Sequence, residues 1–273
     1  MTTTTREAPR DAGDAYLRGR HAIVTGGGRG IGAAIATELA RLGARLTLMG
    51  RDVPTLQRHA TALSREYDTE ADAVQCDVGD AIVIIEAFAR ARETFGDAHV
   101  LVNNAGQAEG APFTEMTAEL WDRMIAINLT GAYLCTRQVL PGMIAAGDGR
   151  IVNVASTAGL RGYNRMAAYC AAKHGVIGLT RALAIETAKR RVTVNAVCPA
   201  YTDTDMAKRA VQNLVAARGV SPEEALAMLT RSNPRGTLIE PEEVASAVGW
   251  LCSPGASGVT GQSIAVAGGE VMG

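Results

Sequence analysis

The sequence predicts an α/β protein built on a doubly wound, parallel, seven-stranded sheet with helices on both faces. Three observations carry that prediction. Short apolar runs rich in β-branched residues alternate with longer runs of helical spacing along almost all of the 273 residues. Thirty glycines against 4% aromatic residues suit closely packed βα units better than an aromatic-rich sandwich. A hydrophobic content of 47% is enough to cover both faces of such a sheet and excludes a predominantly disordered chain.

Taken in order, residues 1–17 carry four consecutive threonines, mixed charge and Pro9 but no apolar run, and are expected to form a flexible tail, not a secretory signal. Residues 18–273 are expected to form one domain, because no composition shift or linker divides them. Strands are predicted over 21–25, 45–49, 71–76, 100–102, 150–155, 193–198 and 263–266, each nearly continuous in apolar character, as buried parallel strands are. Helices are predicted over 30–42, 53–67, 80–95, a pair across 117–146, then 166–190 and 242–251, the last preceded by Pro241 at a helix start. Such βα repeats need right-handed crossovers, which wind helices onto both faces. Residues 200–238 break the rhythm. They are helical and polar, contain no strand, and sit near the carboxyl edge of the sheet, where a substrate lid is expected.

Composition excludes several function classes. The 27 basic and 28 acidic residues leave a formal charge of −1, which gives no general attraction to nucleic acid or anionic membrane. No apolar stretch reaches the ~20 residues of a membrane span. Cys76, Cys135, Cys170, Cys198 and Cys252 are odd in number and scattered without a CxxC pair, which predicts a reducing, cytoplasmic setting. His21, His59, His99 and His174 lack ligand spacing, so no metal is expected; His174 reads as a packed helix residue.

The first strand runs into Thr25-Gly26-Gly27-Gly28-Arg29-Gly30-Ile31-Gly32 and then an amphipathic helix marked by Ile31, Ile35, Leu39 and Leu42. Glycines Gly26, Gly28, Gly30 and Gly32 let backbone N–H groups and the helix N-terminus approach a pyrophosphate, whose charge the helix dipole favours. A tight turn without a ligand is the competing reading, and the strand-before, helix-after context weighs against it. This makes the sheet a dinucleotide-binding, Rossmann-type one. After the second strand, where an acidic residue would read a free ribose 2′-hydroxyl, stand Gly50 and Arg51. Arg51 and Arg29 together suit a 2′-phosphate, favouring NADP(H) over the alternative, NAD(H). Arg51 as a merely solvated loop residue remains the other reading, with Asp52 beside it. Asp77, after the third strand, either meets the adenine edge or caps the next helix.

Only three of the 27 basic residues are lysines: Lys173, Lys189 and Lys208. Tyr169 and Lys173 lie four apart on one face of a predicted helix. Ser156 ends the fifth strand, so all three fall at the carboxyl end of the sheet, where open α/β folds bind ligands. A tyrosine is a poor base at neutral pH, and a nearby ammonium is expected to lower its pKa. Its hydroxyl then exchanges a proton with a carbonyl or alcohol oxygen that a serine hydroxyl polarises, while a nicotinamide carries the hydride.

Together these residues resemble the short-chain dehydrogenase/reductases, in their compact single-domain branch. The resemblance spans residues 19–269 and rests on TGGGRGIG from Thr25, Asp77-Val78, NNAG from Asn103, Asn128, Ser156 and Tyr169-Cys170-Ala171-Ala172-Lys173. It puts Ile31 and Val78 in the cofactor site with Asp77. It implies that Asn104, Ala105 and Gly106 line the adenosine side and that Tyr169 and Lys173 also touch the cofactor, Lys173 through the nicotinamide ribose hydroxyls. Thr202 would contact the carboxamide, and Asn128 would keep a water in a proton relay to Lys173. A homotetramer is implied as well.

The chain departs from the family at Pro199-Ala200, where Pro-Gly is usual, and at Ala267-Gly268-Gly269, where Asp-Gly-Gly is usual. The segments AYCAAKHGVIGLTRALAIE and VTVNAVCPAYTDTDM resemble the branch acting on 3-oxoacyl or 3-hydroxyacyl thioesters, and also reductases of other ketones. Arg161 and Arg165 either attract an anionic substrate or are solvated loop charges. The leading expectation is NADPH-dependent reduction of a ketone such as a 3-oxoacyl thioester. The alternatives are NAD-dependent oxidation of a secondary alcohol or 3-hydroxyacyl thioester, and a dinucleotide-sensing protein without chemistry. A sugar-nucleotide epimerase would need a further substrate domain and a different glycine spacing.

Overall fold

The computed structural model describes residues 15–272. Seven parallel strands form one sheet in the order β3-β2-β1-β4-β5-β6-β7: β1 (His21–Thr25), β2 (Arg45–Gly50), β3 (Ala71–Gln75), β4 (Val100–Asn103), β5 (Gly149–Val154), β6 (Val192–Pro199) and β7 (Ser263–Val266). Strand alternation sorts side chains into two cores. Val24, Leu46, Leu48, Val100, Val102 and Val152 face one layer, and Ile23, Met49, Leu101 and Ile151 face the other. The first layer is closed by α1 (Gly30–Arg41), α2 (Val53–Tyr67) and α9 (Pro241–Cys252). The second is closed by α3 (Ala81–Phe95) and α5 (Gly131–Ala146), with α6 (Ala167–Thr187) beside them.

Local chemistry sets the helix starts. Asp52 caps α2 by accepting from Thr55 N at 3.2 Å, and Asp80 caps α3 by accepting from Ile82 N at 2.9 Å. Glu240 and Glu243 form a capping box around Pro241 at the start of α9. The expected helix pair across 117–146 is one nearly continuous rod: α4 (Ala118–Ile125) passes into α5 through a π turn, Ala126–Thr130, that contains Asn128.

Residues 1–14 of the expected tail lie outside the described residues, and its last residues are packed, not free. Leu17 is buried against the core and its N–H bonds Leu42 O at 3.0 Å, while Tyr16 Oη donates to Gly249 O at 2.6 Å on α9. Residues 200–238 hold α7 (Asp205–Arg218) and α8 (Pro222–Thr230). The two ends of this excursion meet in a bridge between Thr202 and Ile239, so the helical pair leaves and rejoins the sheet at one place.

At the amino end of the interior strand β1, His21 is fully buried, with Nδ1 2.9 Å from Gly96 O and Nε2 2.9 Å from Thr47 Oγ1. Burial pushes its pKa down from 6.5 to about 4. Between those values the unfolded chain holds a proton that the folded one does not, so stability falls as pH drops through this window. Denaturant titrations are expected to show a loss of about 2 kcal/mol between pH 7 and pH 5 from this residue alone. The same pair of titrations on His21→Gln gives a shallower slope; an unchanged slope contradicts the assignment.

Candidate active site

Strand order reverses between β1 and β4, the kind of switch point at whose carboxyl end open α/β sheets bind ligands. Thr25, the last residue of β1, clamps the two loops together. Its Oγ1 accepts from the N–H groups of Asn104 and Ala105, both at 3.0 Å, and Asn104 Nδ2 donates to Thr25 O at 2.9 Å. Motif reading noted Thr25 only as the start of the glycine run, although its hydroxyl is what joins that run to Asn104.

The glycine turn is tight enough to exclude side chains. A Cβ on Gly32 would lie 2.2 Å from Gly26 O and 2.4 Å from Asn104 Nδ2, and Gly26 and Gly30 have positive φ. No side chain caps the N-terminus of α1, where Arg29 stands, and its first turn contains no acidic residue. Its leading N–H groups and dipole therefore suit an anion, as a pyrophosphate cradle requires. Ile31, just inside the helix, packs partly against the core. A Cβ on Gly30 would meet Thr204 Cγ2 at 3.1 Å, which puts the segment after β6 across the turn; Thr204 was not singled out in the sequence.

At the ribose end, Arg29 and Arg51 are both exposed. Asp52 is engaged with α2, its Oδ2 accepting from Thr55 Oγ1 at 2.7 Å. Those Thr55 bonds, with the charges of Arg58 and Arg29, hold its carboxyl below the usual range. Asp77 is not a helix cap. It closes a short turn by accepting from Gly79 N at 2.9 Å, leaving the capping of α3 to Asp80. Val78 is buried and its carbonyl faces Gly131, where a Cβ would approach to 2.6 Å.

Ser156 follows β5 and opens a 3-10 turn, Thr157–Gly159, accepting from Ala158 N at 3.1 Å. That turn presses on α6: a Cβ on Gly159 would lie 2.8 Å from Lys173 O. Ser156 thereby comes within hydrogen-bonding reach of the Tyr169 phenol. Lys173 Nζ is buried, donates to Val154 O at 2.8 Å and sits 5.7 Å from the centre of the Tyr169 ring. The expected lowering of the tyrosine pKa is reversed here. Burial pushes the phenol up to about 12 against the pull of Ser156, and burial also brings Lys173 down to about 8.

Asn128 is buried within the π turn, and its side chain binds backbone: Nδ2 donates to Gln107 O at 2.9 Å and Met124 O at 3.0 Å, and Oδ1 accepts from Gln107 N at 3.2 Å. It holds the loop after β4 in place, with Gly106 so close that a Cβ there would lie 2.8 Å from Asn128 Oδ1 and 3.7 Å from Lys173 Nζ. Thr25, Asn103, Asn128, Cys135 and Lys173 line a small cavity beneath this point, with room for about one water.

Thr202 is buried, its hydroxyl donating to Ala200 O at 3.0 Å. Arg161 is an exposed loop charge, but its guanidinium is already paired, 3.8 Å from the Glu270 carboxylate and over the Tyr163 ring. Arg165 is exposed. His174 is exposed on α6, not packed, with Nδ1 2.9 Å from Cys170 O. Among the described residues no helix is long and apolar enough to cross a membrane, and no cluster of His, Cys, Asp and Glu is placed to hold a metal.

Comparison with known proteins identifies the family. The family model described as short chain dehydrogenase matches residues 20–214. A solved variant of actinorhodin polyketide ketoreductase, crystallised with NADPH, superposes with a TM-score of 0.88 at 42% identity, over 92% of this chain and 97% of that one. A candidate ketoacyl reductase of the granaticin polyketide synthase of Streptomyces violaceoruber is 42% identical over 98% of both chains. The acetoacetyl-CoA reductase of Rhizobium meliloti is 39% identical over 92% of this chain and 98% of its own. The chain therefore belongs to the short-chain dehydrogenase/reductase family, oxidoreductases that act on CH–OH groups and their ketones.

Proposed function

We propose that this protein is an NADPH-dependent ketoreductase acting on a 3-oxoacyl thioester or a related polyketide ketone. The observation that carries the reading is the meeting of Ser156, Tyr169 and Lys173 beside the glycine cradle, in a chain similar to reductases of such ketones. Bound nicotinamide supplies the hydride. Ser156 donates a hydrogen bond to the substrate carbonyl oxygen, and Tyr169, neutral at physiological pH, gives that oxygen its proton. Lys173 stabilises the phenolate left behind, and its protonated form predominates below about pH 8. A water in the cavity between Asn128 and Lys173 returns the proton. Oxidation of an alcohol would instead need Tyr169 as phenolate, which its buried position disfavours.

The cofactor contacts follow the same reading. Gly26, Gly28, Gly30, Ile31 and Gly32 hold the pyrophosphate; Asp77, Val78, Asn104, Ala105 and Gly106 line the adenosine side; Thr202 meets the carboxamide. Arg29 and Arg51 pair with the 2′-phosphate. Residues 200–238 act as a lid. A homotetramer is part of the proposal, and Trp121 on α4 and Tyr133 on α5 are large side chains left exposed for contact between copies. So is a reducing, cytoplasmic setting, in which five buried, unpaired cysteines are stable.

Parallel titrations with NADPH and NADH, followed by nicotinamide fluorescence, test the cofactor assignment. NADPH is expected to bind more tightly, and Arg51→Asp to weaken it about 30-fold while leaving NADH affinity within about 3-fold. A preference for NADH, or an Arg51→Asp protein unchanged toward NADPH, overturns it.

A further inference from the structure

A buried carboxylate that the reaction does not use lies against the loop between Ser156 and Tyr169. Glu270 lies two residues beyond Gly268, near the end of the chain, yet its side chain is only 1% exposed. Tyr163 Oη donates to Glu270 Oε1, and Ser232 Oγ donates to the same oxygen at 3.0 Å. Arg161 lies 3.8 Å away and supplies the compensating charge, its guanidinium 5.0 Å above the Tyr163 ring. Tyr163 in turn pairs with Thr157 Oγ1 at 2.7 Å, and Thr157 is the residue after Ser156.

The tail is shaped to deliver this carboxylate. Gly268 and Gly269 both have positive φ, and Glu270 N bonds Ala267 O at 3.0 Å to close the turn. The turn lies against the segment leaving α8: a Cβ on Gly268 would stand 2.2 Å from Asn233 Oδ1. Three pieces of chain far apart in sequence thus meet at one carboxylate: the loop from Ser156 to Tyr169, the exit of the α7–α8 excursion at Ser232, and the C-terminal turn.

We propose that Glu270 is a positioning residue of the ketone site. Through Tyr163 and Thr157 it fixes the turn that presents Ser156, and through Ser232 it ties that turn to the lid, so that the wall receiving the substrate is formed before the substrate arrives. The proposal rests on the ketoreductase reading for its kinetic consequence but not for the latch itself. Without the carboxylate, the loop loses its anchor, and substrate binding, not cofactor binding or the proton step, takes the loss.

Two readouts test it. In Glu270→Ala, amide exchange of residues 157–166 is expected to quicken about 10-fold while that of α6 and the β1 glycine turn is unchanged. Exchange unchanged in the loop, or quickened throughout the molecule, overturns the latch whether or not any ketone is reduced. In steady-state assays, Glu270→Ala and Tyr163→Phe each raise the ketone KM about 10-fold with kcat within about 3-fold and NADPH affinity unchanged. The double variant is no worse than the poorer single, because both remove one linkage. Glu270→Gln, whose amide oxygen still accepts from Tyr163 and Ser232, recovers KM to within about 3-fold of the parent and serves if the alanine variant does not fold. KM effects that multiply in the double variant, or fall on kcat instead, contradict the proposal.

Discussion

Tyr169→Phe is expected to lower ketone-dependent NADPH oxidation by about 10³-fold or more and to leave NADPH affinity unchanged. The ring keeps its packing in α6, and Lys173 Nζ keeps its bond to Val154 O, so only the proton donor is removed. Stopped-flow turnover and nicotinamide fluorescence measure the two quantities on the same sample. The phenol, pushed up to about 12, stays in its donor form throughout the neutral range, so the reductive rate does not follow tyrosine titration there. Retained turnover in the phenylalanine variant assigns the proton to another group and removes the mechanism.

Gly32→Ala is expected to weaken NADPH binding about 100-fold or more and to lower the melting temperature. The added methyl would lie 2.2 Å from the backbone oxygen of Gly26, which no rotamer change relieves; the turn itself has to move. Moving it shifts the N–H groups at the start of α1 away from a pyrophosphate. Gly178→Ala is the comparison, since a Cβ there meets nothing within 4 Å and replaces a helical glycine. It keeps affinity and gains slightly in thermal stability. Equal affinity in the Gly32→Ala and parent proteins contradicts the cradle.

The sheet was legible because its signal is local. Alternation along β1, β2 and β4 sorts residues between two apolar layers, and turn residues bracket each strand, so predicted and observed strand limits differ by at most one position at either end. Placement of Ser156, Tyr169 and Lys173 followed from the same logic, since strand ends and a four-residue helical spacing converge at one edge. What the sequence did not reveal depends on contacts between distant segments. Tyr16 reaches Gly249, 233 positions away, so the end of the tail is part of the fold despite its polar composition. Glu270 reaches Tyr163 across 107 positions, which is why Arg161 reads as a free loop charge until the tail is folded over it. The phenol of Tyr169 was misjudged for a related reason: the nearby ammonium is visible as a motif, whereas the burial that outweighs it is a property of the packed site.

The most direct test of the central claim is the absorbance of NADPH at saturating concentration on addition of an acetoacetyl thioester to the purified wild-type protein. Steady loss of NADPH with formation of the 3-hydroxyacyl thioester, at least about 10-fold faster than with NADH at equal concentration, is the predicted result. NADPH that binds but is not consumed by this or any other ketone would contradict the account and leave a dinucleotide-binding protein without the chemistry.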